Sequence, residues 1–191
     1  MAEPVIGVLL AGGHGRRAGG PKALKVVGGR PLWRAQAGAM VSDLGCVVAV
    51  LHPGAWPDAD APLLGCIPVA SDPDATQLAS LQRGLAEVAT GAALVLPIDC
   101  PWPGTAVVAA LATAAEATGV LAAVPTVTLD GQVRRGHPVW LAAAAVGQLL
   151  TLDPQLNRLD HWLAGMPERV ALVDVGDPAI LANFNRDAIA G

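Results

Sequence analysis

The sequence predicts a three-layer α/β domain, a mostly parallel sheet with helices on both faces, and three observations predict it. Short continuous apolar runs stop abruptly at glycine, proline or an acid, which is the pattern of strands buried on both faces. Amphipathic stripes at helical spacing fall between those runs, so strand and helix alternate with connections long enough for crossovers. A glycine-rich segment bearing three cations follows the first run directly, at the sheet edge where open α/β folds take their ligands.

Residues 5–10 (VIGVLL) form the first and central strand, ending in a glycine cluster. From 31 to 44, Trp33, Ala37, Met40, Val41 and Leu44 recur at helical spacing behind a proline in the first turn, where a missing N–H does no harm. Residues 46–51 read as a second buried strand, Leu78, Leu81, Leu85 and Val88 as the stripe of a second helix, and 94–97 as a third strand leading to Asp99. Beyond Trp102 come a helix to about residue 117, a strand over 120–124 and a hairpin turn at Leu129, Asp130, Gly131 and Gln132. The last third adds helices over 141–150 and 156–163, a strand over 169–175 and a short terminal helix. With no repeat or linker, the 191 residues read as one domain, long enough to bury a core.

Composition narrows the function. Although 53% of the residues are apolar, they are largely Ala and Val in blocks broken by Gly and Pro. The most membrane-like stretch, 105–124, carries Glu116 and a glycine break, so it reads as a helix and a strand, with no membrane span. The apolar run 5–11 precedes the first arginines, the reverse of a secretory signal, and a cytoplasmic location is expected. Cys46, Cys66 and Cys100 form no Cys-x-x-Cys pair and read as small core residues. A net charge of -4, one Phe and no Tyr offer neither an electrostatic footprint nor a stacking platform for nucleic acid.

The segment Leu10-Ala11-Gly12-Gly13-His14-Gly15-Arg16-Arg17-Ala18-Gly19-Gly20-Pro21-Lys22 carries the chemistry. Glycines let backbone N–H groups approach phosphate oxygens, and Arg16, Arg17 and Lys22 bring positive charge to the same place. A Walker A loop would need Gly-Lys-Ser/Thr, but Pro21 precedes Lys22 and Ala23 follows it. A dinucleotide fingerprint would open a helix that Gly19, Gly20 and Pro21 would break. A merely structural glycine turn leaves the three cations unexplained. The remaining reading is a triphosphate cradle.

The run Leu-Ala-Gly-Gly-x-x-x-Arg-x-Gly-x-x-Lys resembles the signature loop of the molybdenum cofactor guanylyltransferase and cytidylyltransferase group of nucleotidyltransferases, which have a Rossmann-like, GT-A-like fold. The resemblance implies that Leu10, Ala11, Gly12, Gly13, Gly15 and Gly19 wrap the nucleotide, while Arg17 and Lys22 stabilise charge on the departing pyrophosphate. Ala18 stands where the family often has Met or Phe. Gly28 to Trp33 is similar to the family's Gly-Lys-Pro-Leu segment, and Leu78, Ala79 and Ser80 are similar to its base-recognising Leu-Ala-Gly, with Ser80 in place of glycine.

Asp99 stands alone at the end of a buried apolar strand. A desolvated carboxylate there needs compensation, either as a helix N-cap or as a ligand of magnesium bridging triphosphate oxygens. Resemblance to the family's Leu-x-x-Asp-x-Pro motif implies the metal role, with Mg2+ as cofactor. Arg134, Arg135, Gly136, His137 and Pro138 by themselves read as a solvated turn; the Gly-His-Pro triplet is similar to the cytidylyltransferase branch and implies acceptor-phosphate binding by Arg135 and His137. Asn183 and Asn185 resemble the Asn-x-Asn of the guanylyltransferase branch, which also implies the acceptor side, with helix capping as the alternative. Arg186 and Asp187 stand where that branch has Thr-Pro. His14, His52 and His161 are too scattered in sequence to indicate a metal site.

These readings combine into one expectation: the N-terminal half binds a nucleoside triphosphate and the C-terminal half a small phosphorylated acceptor. A nucleotidyl group then passes directly to the acceptor phosphate. GTP is expected over CTP and a molybdopterin-type monoester as acceptor. A sugar-1-phosphate nucleotidyltransferase is the rival enzyme, disfavoured because Arg16 occupies its usual Thr position. A nucleotide-binding regulatory protein is the rival outside catalysis, permitted by Asn where relatives carry a C-terminal Asp.

Overall fold

The computed structural model describes residues 5–15, 19–56, 62–88 and 91–184. Strand β1 (Val5–Ala11) lies between two parallel neighbours, which is why it is continuously apolar. A small antiparallel ribbon, β2 (Val26–Val27) and β3 (Arg30–Pro31), turns through Gly28 (φ 56°) and Gly29 (φ 77°). Two left-handed residues in succession suit glycine. Helix α1 (Leu32–Leu44) follows Pro31 and stops at Gly45, whose φ of 79° ends the helix. Then come β4 (Val47–Leu51), buried throughout, and β5 (Cys66–Ala70) at the sheet edge. Helix α2 (Gln77–Leu85) is capped by Thr76, whose hydroxyl accepts from the Ala79 N–H.

Strand β6 (Ala92–Pro97) leads to helix α3 (Thr105–Ala115) and β7 (Ala122–Leu129). The expected hairpin forms: Asp130 (φ 51°) and Gly131 (φ 72°) return the chain into β8 (Gln132–Arg135). Strand β9 (Val139–Leu141) runs antiparallel between β6 and β7, and helix α4 (Ala143–Leu150), helix α5 (Leu159–Ala164) and strand β10 (Val170–Asp174) complete the elements. The main path runs β10-β7-β9-β6-β1-β4-β5, parallel except around β9, with β8 appended to β7. The chain ends its described part in a short 3-10 turn, Pro178–Leu181, and the expected terminal helix otherwise lies outside the described residues.

Alternation within each strand divides the core into two layers. Val8 and Val95 point to the face covered by α2, α4 and α5, with Leu81, Leu85, Leu149 and Leu163. Leu9, Leu94 and Leu96 point to the face covered by α1 and α3, with Trp33, Met40 and Leu111. No described helix is long and apolar enough to cross a membrane.

Three expectations change. Leu141 closes β9 and does not open a helix, because Val139, Trp140 and Leu141 are buried between two strands. Strand β5 was not foreseen: it is a half-covered edge strand with Pro68 in its middle, which weakens the sequence signal. Cys100 is a core residue as expected, but Cys46 and Cys66 are only half-buried.

Candidate active site

The carboxyl ends of β1 and β6 are joined by a hydrogen bond from the Ile98 N–H to the Leu10 carbonyl (2.9 Å), and a cleft opens directly above them. Gly12, Gly13, Gly15, Lys22, Ser80 and Asp99 all line it. Two of the glycines are sterically required. A Cβ on Gly12 would run into the buried Ser71 hydroxyl, and one on Gly15 (φ 59°) would run into the Gly20 carbonyl. The Gly20 N–H instead donates to the Gly15 carbonyl at 3.2 Å and closes the loop upon itself. Gly19 (φ 76°) sits at the loop's far side, and Lys22 opens a short 3-10 turn, Lys22–Leu24. Arg17 lies outside the described residues.

Across the cleft, Lys22 Nζ is 2.9 Å from Asp99 Oδ2, both side chains being about four-fifths buried. The Asn183 amide donates to the same oxygen at 3.3 Å, and the Phe184 N–H donates to the Asp99 carbonyl at 2.8 Å. Burial alone would push the carboxyl pKa up. The Lys22 hydrogen bond and charge, with the Asn183 hydrogen bond, outweigh it and hold Asp99 below the usual carboxylate range. The carboxylate is therefore held in its charged form near neutral pH. Asp99 is not the N-cap of α3, which is Gly104. The neighbouring Cys100 thiol is pushed up to about 12 by burial and by Asp99, so it carries no thiolate chemistry near neutral pH.

Around Asp99 stand the Lys22 ammonium, the Asn183 amide and the protonated Cys100 thiol. No cluster of three His, Cys, Asp or Glu exists among the described residues. One carboxylate with the Asn183 carboxamide beside it, at the edge of a glycine-rich loop, suits a hard divalent cation of the kind held by one or two carboxylates together with substrate phosphates.

The other expected residues separate. Ser80 lines the cleft, but Leu78 packs into the core and the Ala79 amide is engaged by the Thr76 cap. Ala11 is buried in the layer beneath. Arg135 is exposed at the end of β8, whereas the His137 ring is largely buried, its Nδ1 without a hydrogen-bond partner. Burial lowers the His137 pKa, and the Asp99 charge partly opposes the shift. The His137 N–H bonds the Ile180 carbonyl (3.1 Å), and Gly136 has no space for a Cβ against that same carbonyl. This pair thus fastens the segment that delivers Asn183 to Asp99. Asn185 lies outside the described residues. His14, distant in sequence from its partners, reaches Asp74 (3.2 Å) and packs edge-on to His52 at the loop's outer side.

Sequence reasoning missed Ser71, Gln77 and Gln36. Ser71 sits at the end of the unforeseen β5, bonds to the Asp72 carbonyl (3.2 Å) and touches the Ser80 hydroxyl (3.4 Å). Gln77 lines the cleft from the first turn of α2. A polar residue on an otherwise apolar helix face is the only signal that could have pointed to Gln36.

The MobA-like NTP transferase domain matches residues 7–170 of the chain. The chain is 33% identical over 195 residues to the molybdenum cofactor guanylyltransferase of Cupriavidus taiwanensis, covering 96% of this chain and 92% of that protein. It is 33% identical over 193 residues to the protein of the same name from Ralstonia nicotianae, covering 95% and 91%. Among solved structures, 2-C-methyl-D-erythritol 4-phosphate cytidylyltransferase from Thermus thermophilus superposes with a TM-score of 0.66 at 26% identity, covering 95% and 92%. A nucleotidyl transferase from Methanothermobacter thermautotroptrophicus superposes at 0.70 and 23%, covering 95% and 91%. Rv0371c from Mycobacterium tuberculosis, solved in complex with manganese, superposes at 0.65 and 22%, covering 90% and 88%.

Proposed function

The chain belongs to the MobA-like NTP transferase family, and on that premise we propose that it transfers GMP from GTP to the phosphate of a molybdopterin-type acceptor. The class of reaction, nucleotidyl transfer, comes with the family. The observation that supports this site for it is the ionised Asp99 held 2.9 Å from Lys22, in a cleft shared with a loop whose Gly12 and Gly15 admit no side chain.

An oxygen of the acceptor phosphate attacks the α-phosphorus of the triphosphate, the bond from that phosphorus to the bridging oxygen breaks, and pyrophosphate leaves. The backbone N–H groups of Gly12, Gly13, Gly15 and Gly19 bind the phosphate oxygens. Lys22, with Arg17, neutralises charge developing on the departing pyrophosphate. Asp99 would hold magnesium, with Asn183 beside it, and the ion would supply charge to offset that on the phosphate oxygens. No general base takes part, because a phosphate monoester is already anionic near neutral pH. Ser80, in the Leu78 to Ser80 segment, meets the base. Arg135, His137 and Asn185 receive the acceptor.

GTP is favoured because the curated relatives are guanylyltransferases. The Gly136-His137-Pro138 triplet and the cytidylyltransferase among the solved neighbours favour CTP as a second reading. Calorimetry with GTP, CTP, ATP and dTTP in magnesium buffer, followed by pyrophosphate release with molybdopterin, decides between them. Tighter CTP binding overturns the guanine assignment, and no release with any of the four overturns the acceptor.

A further inference from the structure

We infer that Gln36 is a positioning residue that sets where the Asp99 carboxylate meets Lys22, an inference that rests on the reading of Asp99 and Lys22 as reaction-centre groups. Gln36 is 6% exposed and is the only polar side chain among the buried positions of α1, beside Leu32, Trp33, Ala37 and Met40. A buried carboxamide is tolerated when both its ends are bonded. Its Nε2 donates to the Cys100 carbonyl at 2.6 Å, and its Oε1 accepts from the Trp102 N–H at 3.2 Å.

Those two backbone groups belong to the turn that follows Asp99, beyond the end of the β6 ladder. Residues before Asp99 are tied to β1 through the Ile98 N–H and the Leu10 carbonyl. Residues after it are tied to α1, by Gln36 and again by Trp102 Nε1 donating to Asp43 at 2.7 Å. The same helix fixes the other partner, because the Leu32 N–H at its start donates to the Lys25 carbonyl (2.7 Å) at the end of the Lys22 turn. One rigid element therefore holds both halves of the Lys22–Asp99 contact, and Gln36 is its buried attachment to the acidic half, with Asp43 the exposed one. Removing Gln36 loosens the Asp99 turn, which keeps its bonds to Asp43 and Phe184, and leaves the glycine loop's own closure between Gly15 and Gly20 untouched. The defect is then confined to groups that act on the reacting phosphate, and the affinity for the triphosphate is spared.

The test uses Gln36→Leu, which removes both bonds at similar volume, and Gln36→Glu, which keeps an acceptor for the Trp102 N–H. Asp99→Asn serves as reference. Four quantities are measured: the GTP Kd in EDTA, the Mn2+ Kd in the presence of GTP, kcat and KM for pyrophosphate release from GTP and molybdopterin, and Tm. For Gln36→Leu the expected result is a kcat lower by roughly tenfold or more, as for a small misplacement of a reacting group. Mn2+ binding should weaken in parallel, with metal-free GTP affinity and the GTP KM little changed. The Gln36→Glu variant should fall between it and the parent, and it carries the comparison if Gln36→Leu does not fold. Parental kcat and Mn2+ affinity in a folded variant, at whatever Tm, would overturn the inference. So would a loss of kcat matched by an equal loss of metal-free GTP binding. If Asp99→Asn is itself without effect, the reading of Asp99 falls and this inference with it. A defective Asp99→Asn beside parental Gln36 variants rejects the positioning role alone.

Discussion

Lys22 Nζ and Asp99 Oδ2 lie 2.9 Å apart although 77 residues separate them in sequence. One arrives from the loop after β1 and the other from the end of β6, adjacent parallel strands whose carboxyl ends share an edge. The contact keeps the carboxylate ionised despite its burial and places a cation and an anion at one end of a cleft floored by glycine.

Lys22→Ala should lower turnover by roughly a hundredfold or more, the usual result of deleting one preorganised charge at a transition state. It should also raise the Asp99 pKa, since the lysine is the foremost of the groups that oppose burial there. Pyrophosphate release by a variant with unaltered circular dichroism measures the first effect. Unchanged turnover in that folded variant would remove Lys22 from the reaction.

Gly12→Ala should weaken triphosphate binding by displacing either the loop or the Ser71 hydroxyl, since the new Cβ and that hydroxyl require the same space. Ser71→Gly vacates it. The double variant Gly12→Ala with Ser71→Gly should therefore bind GTP more tightly than Gly12→Ala alone, the non-additivity expected of residues in contact. Additive losses in calorimetry would mean that Gly12 is needed for backbone freedom, with Ser71 irrelevant.

Much of this was readable from residue order, for physical reasons that also explain what was not. The β1 strand, the glycine loop and the Asp130-Gly131 hairpin announce themselves locally, through continuous apolarity and through turns that require positive φ. Asp99 stood out because an acid ends a buried strand. Its contacts with Lys22 and Asn183 did not, because those residues reach it only through sheet order and the return of the chain past Ile180, and Gln36 acts on the turn after it from a helix distant in sequence. Strand β9 was hidden for another reason. Three apolar residues running into an alanine-rich helix carry no period of their own, and burial between β6 and β7 decides their conformation.

His137→Gln should flatten part of the pH dependence of stability. The folded imidazole titrates below the ordinary value of about 6.5 because it is buried. Between that depressed pKa and about 6.5 the unfolded chain binds more protons than the folded one, so stability falls as pH falls through this window. Above it the residue is neutral in both states and contributes no slope. The parent Tm should decline from pH 6.5 downward more steeply than that of His137→Gln, and equal slopes would show that the ring takes up its proton freely in the fold.

Asn183→Asp should make the site more dependent on a divalent cation. In the parent, the Asn183 amide donates to Asp99 Oδ2 at 3.3 Å and helps hold that carboxylate charged. A carboxylate in its place loses the donor and sets two like charges side by side, so the metal-free protein should melt at a lower temperature than the parent. A divalent cation reverses the balance, because two adjacent carboxylates are better ligands for a hard ion than a carboxylate and an amide. Binding to the folded state alone raises apparent stability in proportion to the logarithm of ligand over Kd. The gain in Tm on adding Mn2+ should accordingly be larger for Asn183→Asp than for the parent, starting from a lower value in EDTA. A variant whose Tm in EDTA matches the parent, and whose gain with Mn2+ is no larger, would place the metal away from Asn183 and leave that residue as a hydrogen-bond donor to Asp99 alone.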